Sequence, residues 1–229
     1  VIVNRDVELK ISIKEAFVIT VLSWLLLAIL CSVPFIFTYS DLSMIDALFE
    51  SMSGITTTGA TIINNLERLP KGILIWRSLL QWLGGIGIVV IALFILPFLR
   101  VGGMQLFHLE GDDPYEKTLP KISSVATKIV IIYVSLTLIL FCLYYTNGMN
   151  LFDSIAHSFT TISTGGFSTY NESFAYFNNY KILTIGIIFM ILGSFPFLVL
   201  AQLNIRNPIN IFNDQQVKIF LIVLVLSIS

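Results

Sequence analysis

Two short runs of hydroxyl and glycine residues, Thr57-Thr58-Gly59-Ala60-Thr61 and Thr164-Gly165-Gly166-Phe167-Ser168, hold the groups best suited to chemistry in this 229-residue chain. Neither run contains Asp or Glu, so the available ligands are uncharged oxygens: successive backbone carbonyls with hydroxyls beside them. That set suits a monovalent cation that must bind and also leave, and it argues against a carboxylate-lined calcium site. Gly59 and Gly166 can take the positive φ that turns a carbonyl toward an axis. Thr57, Thr58, Gly59, Thr164, Gly165 and Gly166 are therefore the candidate ion-binding residues. No bound cofactor and no catalytic residue is expected.

The two runs are the ends of one repeated stretch. DALFESMSGITTTGAT, starting at Asp46, aligns without a gap on DSIAHSFTTISTGGFS, starting at Asp153. The pairs Asp46/Asp153, Ser51/Ser158, Ile55/Ile162, Thr57/Thr164 and Gly59/Gly166 are identical. Residues 43–56 and 150–163 each read as a short amphipathic helix with a polar first residue and an acid in the first turn, both of which favour capping. A helix of that length reaches about 20 Å, enough to enter a bilayer but not to cross it. It must turn back, and irregular backbone at that depth is tolerated only where it is buried in protein or lines a water-filled path.

Composition places these helices in a membrane. The chain is 56% hydrophobic and 12% charged with a net charge of -1, and its mean hydropathy is +0.88. This is the balance of an integral membrane protein, with lipid as its surroundings and no basic field for nucleic acid. Apolar runs at 16–39, 72–99, 126–146 and 181–203 predict four spans, and a fifth run at 217–229 is shorter. If the first span begins in the cytoplasm, Arg5, Lys10, Lys14, Arg100, Lys117, Lys121, Lys128, Arg206 and Lys218 lie inside. Only Arg68, Lys71, Arg77 and Lys181 then lie at or near the outside, the orientation the positive-inside rule favours. Both short helices then enter from the outer face and aim their carboxyl ends, carrying about half a negative charge, at the middle of the membrane.

The remaining polar and special residues have plainer readings. Cys31 and Cys142, inside apolar runs, read as small buried hydrophobes. Trp76 fits an interfacial anchor, and Trp82 a side chain packed between helices. Gly84, Gly85 and Gly87 lie within a span with no preceding strand, which means close helix packing and not a dinucleotide fingerprint. Gly193 and Pro196 interrupt the fourth span, as a hinge beneath the second loop or as a tolerated bend. Arg77, close to the outer interface, is expected to snorkel outward. His157 stands where the first copy has Glu50, and both are expected to orient their helices; His108 is uninformative. Asp153, His157 and Ser158 could suggest an intramembrane hydrolase, but neighbouring His157 and Ser158 point about 100° apart on a helix, and no nucleophile elbow is present.

ALFESMSGITTTGAT, LLQWLGGIGIVVIALFILPFLRVGGMQLF and SIAHSFTTISTGGFST together resemble the TrkH type of potassium uptake protein, in the superfamily of Trk, Ktr and HKT cation transporters. The resemblance covers essentially the whole chain. It implies an all-α membrane protein of repeated units, each a transmembrane helix, a re-entrant pore helix with filter loop and a second transmembrane helix, as in potassium channels. Four such units around one pore, preceded by two helices and assembled as a homodimer in the bacterial cytoplasmic (inner) membrane, would take up potassium as the transported ion. The selectivity filter would include residues 57–61 and 164–168, about Gly59 and Gly166. On this reading 1–103 is the first unit, 104–213 a cytoplasmic linker and the second unit, and 214–229 the start of a third, so the chain is expected to be a piece of a longer protein with half of the filter. The inner loop, 100–128, is a solvated linker or the docking face for a cytosolic nucleotide-binding subunit of the TrkA type. A non-conducting scaffold derived from such a transporter is the alternative.

Overall fold

The computed structural model describes residues 13–38, 42–99, 118–196, 199–200, 212 and 214–228. Among them every regular element is helical. Helix α1 (Ile13–Thr38) leads to the short α2 (Met44–Ile55), a 3-10 turn at Leu66–Arg68 and α3 (Lys71–Leu99). The order then recurs as α4 (Thr118–Thr146), α5 (Leu151–Ile162), a 3-10 turn at Ser173–Phe177 and α6 (Tyr180–Gly193), followed by α7 (Gln215–Ile228).

Among the described residues three segments are long and apolar enough to cross a membrane: Phe17–Thr38, Lys71–Val89 and Ser124–Thr146. In hydrocarbon a helix is the one open-chain structure that satisfies its own backbone. The faces that α1 and α4 turn outward carry Val18, Leu22, Leu26, Ile131 and Leu138, each more than half exposed, an apolar surface that calls for lipid. The fourth expected span is not one helix. After 14 residues α6 stops at Gly193, because Pro196 has no N–H and its ring would strike the carbonyl one turn back. Phe195 N–H closes on the Leu192 carbonyl instead (3.2 Å), and a new turn starts with Val199 N–H on the Pro196 carbonyl (2.9 Å).

Within each unit the short helix sits against its two long neighbours. Phe35 of α1, Ala47 of α2 and Ile73, Leu74 and Leu80 of α3 form the first core with Ile63, Leu66 and Leu69 of the intervening loop. Tyr133, Leu140 and Tyr144 of α4, Ile162 of α5 and Ile182 and Phe189 of α6 form the second. Trp82 of α3 packs on this second core, stacks obliquely on Phe159 (centroids 5.1 Å) and donates its indole N–H to Thr137 (3.0 Å), as a side chain between helices should. Trp76, half-buried near the start of α3, donates to the Cys31 carbonyl of α1 (3.1 Å). Neither cysteine is fully buried. Cys31 is half-buried and Cys142 exposed, because in the described residues no helix covers that face of α4.

Candidate functional site

The two glycine loops leave their helices in the same way. Helices α2 and α5 both have 12 residues, with N-caps Ser43 and Asn150 accepting from the N–H groups of Asp46 and Asp153. At the other end Thr57 N–H bonds to the Gly54 carbonyl and Thr58 N–H to the Ser53 carbonyl (both 3.0 Å), while Thr164 N–H bonds to Thr161 (3.0 Å) and Gly165 N–H to Thr160 (2.8 Å). These are matched Schellman closures, with threonine at the left-handed position usually given to glycine. Thr57 and Thr164 have φ of 55° and 52°, and Gly59 and Gly166 have 76° and 81°. A β-branched residue held there stores strain of the kind that clusters at functional sites. The result is a run of unpaired oxygen: among the described residues no donor meets the carbonyls of Thr57, Thr58, Gly59, Thr164 or Gly166.

Two further glycines let the long helices approach these ends. A Cβ on Gly84 of α3 would collide with the Ile55 carbonyl, and one on Gly193 of α6 with the Ile162 carbonyl. Gly84 and Gly193 thus do the same work in the two units. Gly85 lies against Ser163 and the Tyr133 hydroxyl, whereas Gly87 meets nothing within 4 Å.

The outer end of each loop is tied back to its own helix through a hydroxyl. Thr61 donates to the Glu50 carboxylate (2.9 Å) and accepts from Ile63 N–H (3.2 Å). Ser168 lies 3.0 Å from His157 Nε2 and accepts from Tyr170 N–H (3.1 Å). His157 Nδ1 is 2.9 Å from the Asp153 carbonyl, which can only accept, so Nδ1 carries a proton, and in the neutral ring Nε2 accepts from Ser168. Glu50 and His157 therefore hold the loops as well as orienting the helices.

Arg77 departs from the expected outward snorkel. Its side chain is 1% exposed and pairs with fully buried Glu50 at 2.7 Å. It also donates to Thr61 (2.9 Å) and to the Ser168 carbonyl of the second loop (3.2 Å), with its guanidinium 4.1 Å from the centre of the Phe167 ring. The reason is the carboxylate: a buried charge with a partner and further hydrogen bonds has no need of the interface. Gln81, one turn further along α3, was not expected at all. Its Nε2 donates to the Gly165 carbonyl (2.7 Å) and its Oε1 accepts from Phe167 N–H (3.0 Å). The signal available was a lone amide inside the apolar run LLQWL.

The hydrolase alternative is not assembled. His157 faces the backbone of Asp153 and Ser158 donates to the Ile155 carbonyl (2.8 Å), while the Asp153 carboxylate accepts from Thr169 (2.7 Å), Tyr170 (2.9 Å) and Asn150 (2.6 Å). His108 and residues 100–117 of the inner loop lie outside the described residues.

The chain matches, over residues 2–227, the model of a family described as TrkH, cation transport protein. It is similar to the Trk system potassium uptake protein TrkI of Halomonas elongata, 40% identical over 224 residues that make up 96% of this chain and 46% of that protein. TrkH of Escherichia coli K12 is 45% identical over 194 residues, 83% of this chain and 40% of that one. The crystal structure of the potassium transporter TrkH from Vibrio parahaemolyticus superposes with a TM-score of 0.83 at 38% identity, covering 96% of this chain and 45% of the other. The chain spans less than half the length of these relatives.

Proposed function

This chain belongs to the TrkH family of cation transport proteins, and from that premise we propose that it forms part of a pore for potassium uptake across the bacterial cytoplasmic membrane. The loops at 57–61 and 164–168 are two strands of its selectivity filter. Potassium is held by carbonyls of Thr57, Thr58, Gly59, Thr164 and Gly166, with Gly165 completing the second strand. The observation that carries this reading is the matched pair of loops, identical in closure and in positive-φ positions, each presenting carbonyls that no donor among the described residues meets. A ring of carbonyls around an ion takes about four strands, so 1–103 and 104–213 are two units of such a ring and 214–229 opens a third. The chain acts as a transporter and not as an enzyme.

Its relatives are named for the Trk system, which supports association with other Trk components. The homodimer and a cytosolic TrkA-type subunit docking on the inner loop are the assembly this reading assigns. The test is rubidium uptake by a potassium-transport-deficient cell expressing the intact protein. Gly59→Asp or Gly166→Asp is expected to abolish uptake at unchanged membrane abundance; survival of uptake in both would sink the filter reading, whereas no uptake by the wild type would leave the non-conducting scaffold as the better description.

A further inference from the structure

We propose that Gln81 is a specificity-determining positioning residue, which withdraws the Gly165 carbonyl from the ion path and so makes the two filter strands unequal. The inference rests on the filter reading above. Gln81 is completely buried, and both ends of its amide are used: Nε2 on the Gly165 carbonyl (2.7 Å), Oε1 on Phe167 N–H (3.0 Å). A carbonyl only accepts and an N–H only donates, so the amide has one orientation. The loop is seated directly on it, since a Cβ at Gly165 would overlap the Gln81 amide. Arg77, one turn away, holds the next carbonyl but two, that of Ser168.

Among the described residues the first strand shows no such clamp. Thr58, the counterpart of Gly165, keeps its carbonyl unpaired among the described residues, and the hydroxyls of Thr56 and Thr58 bond each other (2.8 Å). Nor is the clamp repeated in the second unit. Registering Gly84 on Gly193, which touch equivalent helix-end carbonyls, places Gly186 and Met190 where α3 has Arg77 and Gln81. Neither can form these bonds. At its level the second strand therefore offers a carbonyl fewer than an unclamped strand would, and the number of coordinating dipoles is one of the quantities that separates potassium from sodium.

Two substitutions in the intact transporter test this, read as rubidium and sodium uptake per copy in the membrane. Gln81→Met keeps the length and removes both bonds, and is expected to change the rubidium-to-sodium ratio about tenfold, the scale of one buried hydrogen bond. Gln81→Glu is isosteric. Its neutral carboxyl can donate to Gly165 and accept from Phe167 as the amide does, whereas the carboxylate can only accept and repels the carbonyl. Its ratio should move toward that of wild type as external pH falls, while the wild-type ratio stays flat; Glu50, Arg77 and His157, which hold the same loops, are common to both. Comparing one folded variant at two pH values separates the effect from misfolding. A wild-type ratio in Gln81→Met, or a pH-independent Gln81→Glu, overturns the inference. Gly166→Asp run alongside distinguishes the failures: uptake through that variant sinks the filter reading, whereas a blocked Gly166→Asp with a silent Gln81→Met sinks only the role of Gln81.

Discussion

The first and second loops share a backbone and differ in what braces it. In both, a hydroxyl at the outer end accepts the N–H two residues on and donates to a side chain on the short helix. In the first unit that side chain is Glu50, neutralised by Arg77. In the second it is neutral His157, enclosed by the edges of Phe174 and Phe177 with ring centres 5.3 and 5.2 Å away. The loop geometry is thus not a consequence of one particular buttress. Any buried acceptor at that helical position, with its remaining valences met, holds the hydroxyl. What the ion pair adds is reach, because Arg77 spans from its own loop to the Ser168 carbonyl of the other.

The largest effects should come from unbalancing the charged brace. Arg77→Met leaves the Glu50 carboxylate buried without its partner, and Glu50→Gln leaves the guanidinium so. Each is expected to cost about 3–5 kcal/mol, seen as a lower unfolding temperature in detergent. The double variant should recover part of the loss, because no orphan charge remains. His157→Ala removes a neutral acceptor and is expected to cost less, about 1–3 kcal/mol. If it proved as damaging as Arg77→Met, the two braces would not differ in the way their chemistry says.

Much of this architecture was legible in the sequence because it is periodic or local. The repeat offset placed both short helices, whose caps at Ser43 and Asn150 and last residues Ile55 and Ile162 fall at equivalent positions. Glycines at 59 and 166 announced the positive φ. The clamps were not legible for the opposite reason: Arg77 meets residues 27, 16 and 91 positions away, and no spacing rule links them. Its nearness to the membrane edge favoured a snorkel only while Glu50, on another helix, was out of view. The broken fourth span was half visible, since Pro196 marked the stop, but the packing of Gly193 on the Ile162 carbonyl needed the second core to be assembled.

Alanine at the paired glycines sharpens the comparison on a smaller scale. Each pays the left-handed penalty of an L-residue, about 1–2 kcal/mol, yet the surroundings differ. A Cβ at Gly59 would also strike the Gly165 carbonyl, whereas one at Gly166 meets nothing within 4 Å. Gly59→Ala should therefore lose more rubidium uptake than Gly166→Ala. Equal losses would mean that φ alone governs both loops.

The smallest expected effect lies where the two units meet outside the membrane. There Glu67 of the first 3-10 turn accepts from the backbone N–H (3.0 Å) and side-chain amide (2.7 Å) of Asn171, whose oxygen accepts from Leu66 N–H (3.2 Å). The Asn171 N–H stabilises the ionised form and lowers the Glu67 pKa from its ordinary value, near 4.3 in an unfolded chain. A carboxylate whose folded pKa is depressed contributes stability above the unfolded value and loses it as pH falls through the folded one. Because Glu67 is fully solvated, screening keeps this contribution small. Wild type should thus unfold at a slightly higher temperature than Glu67→Gln at neutral pH, and the two curves should converge as pH falls below the ordinary glutamate value and through the depressed folded one. The absence of a gap at neutral pH would locate the contact's value in the neutral Asn171 hydrogen bonds, which a glutamine can also accept, and would make this junction independent of charge, unlike the buried one formed by Arg77.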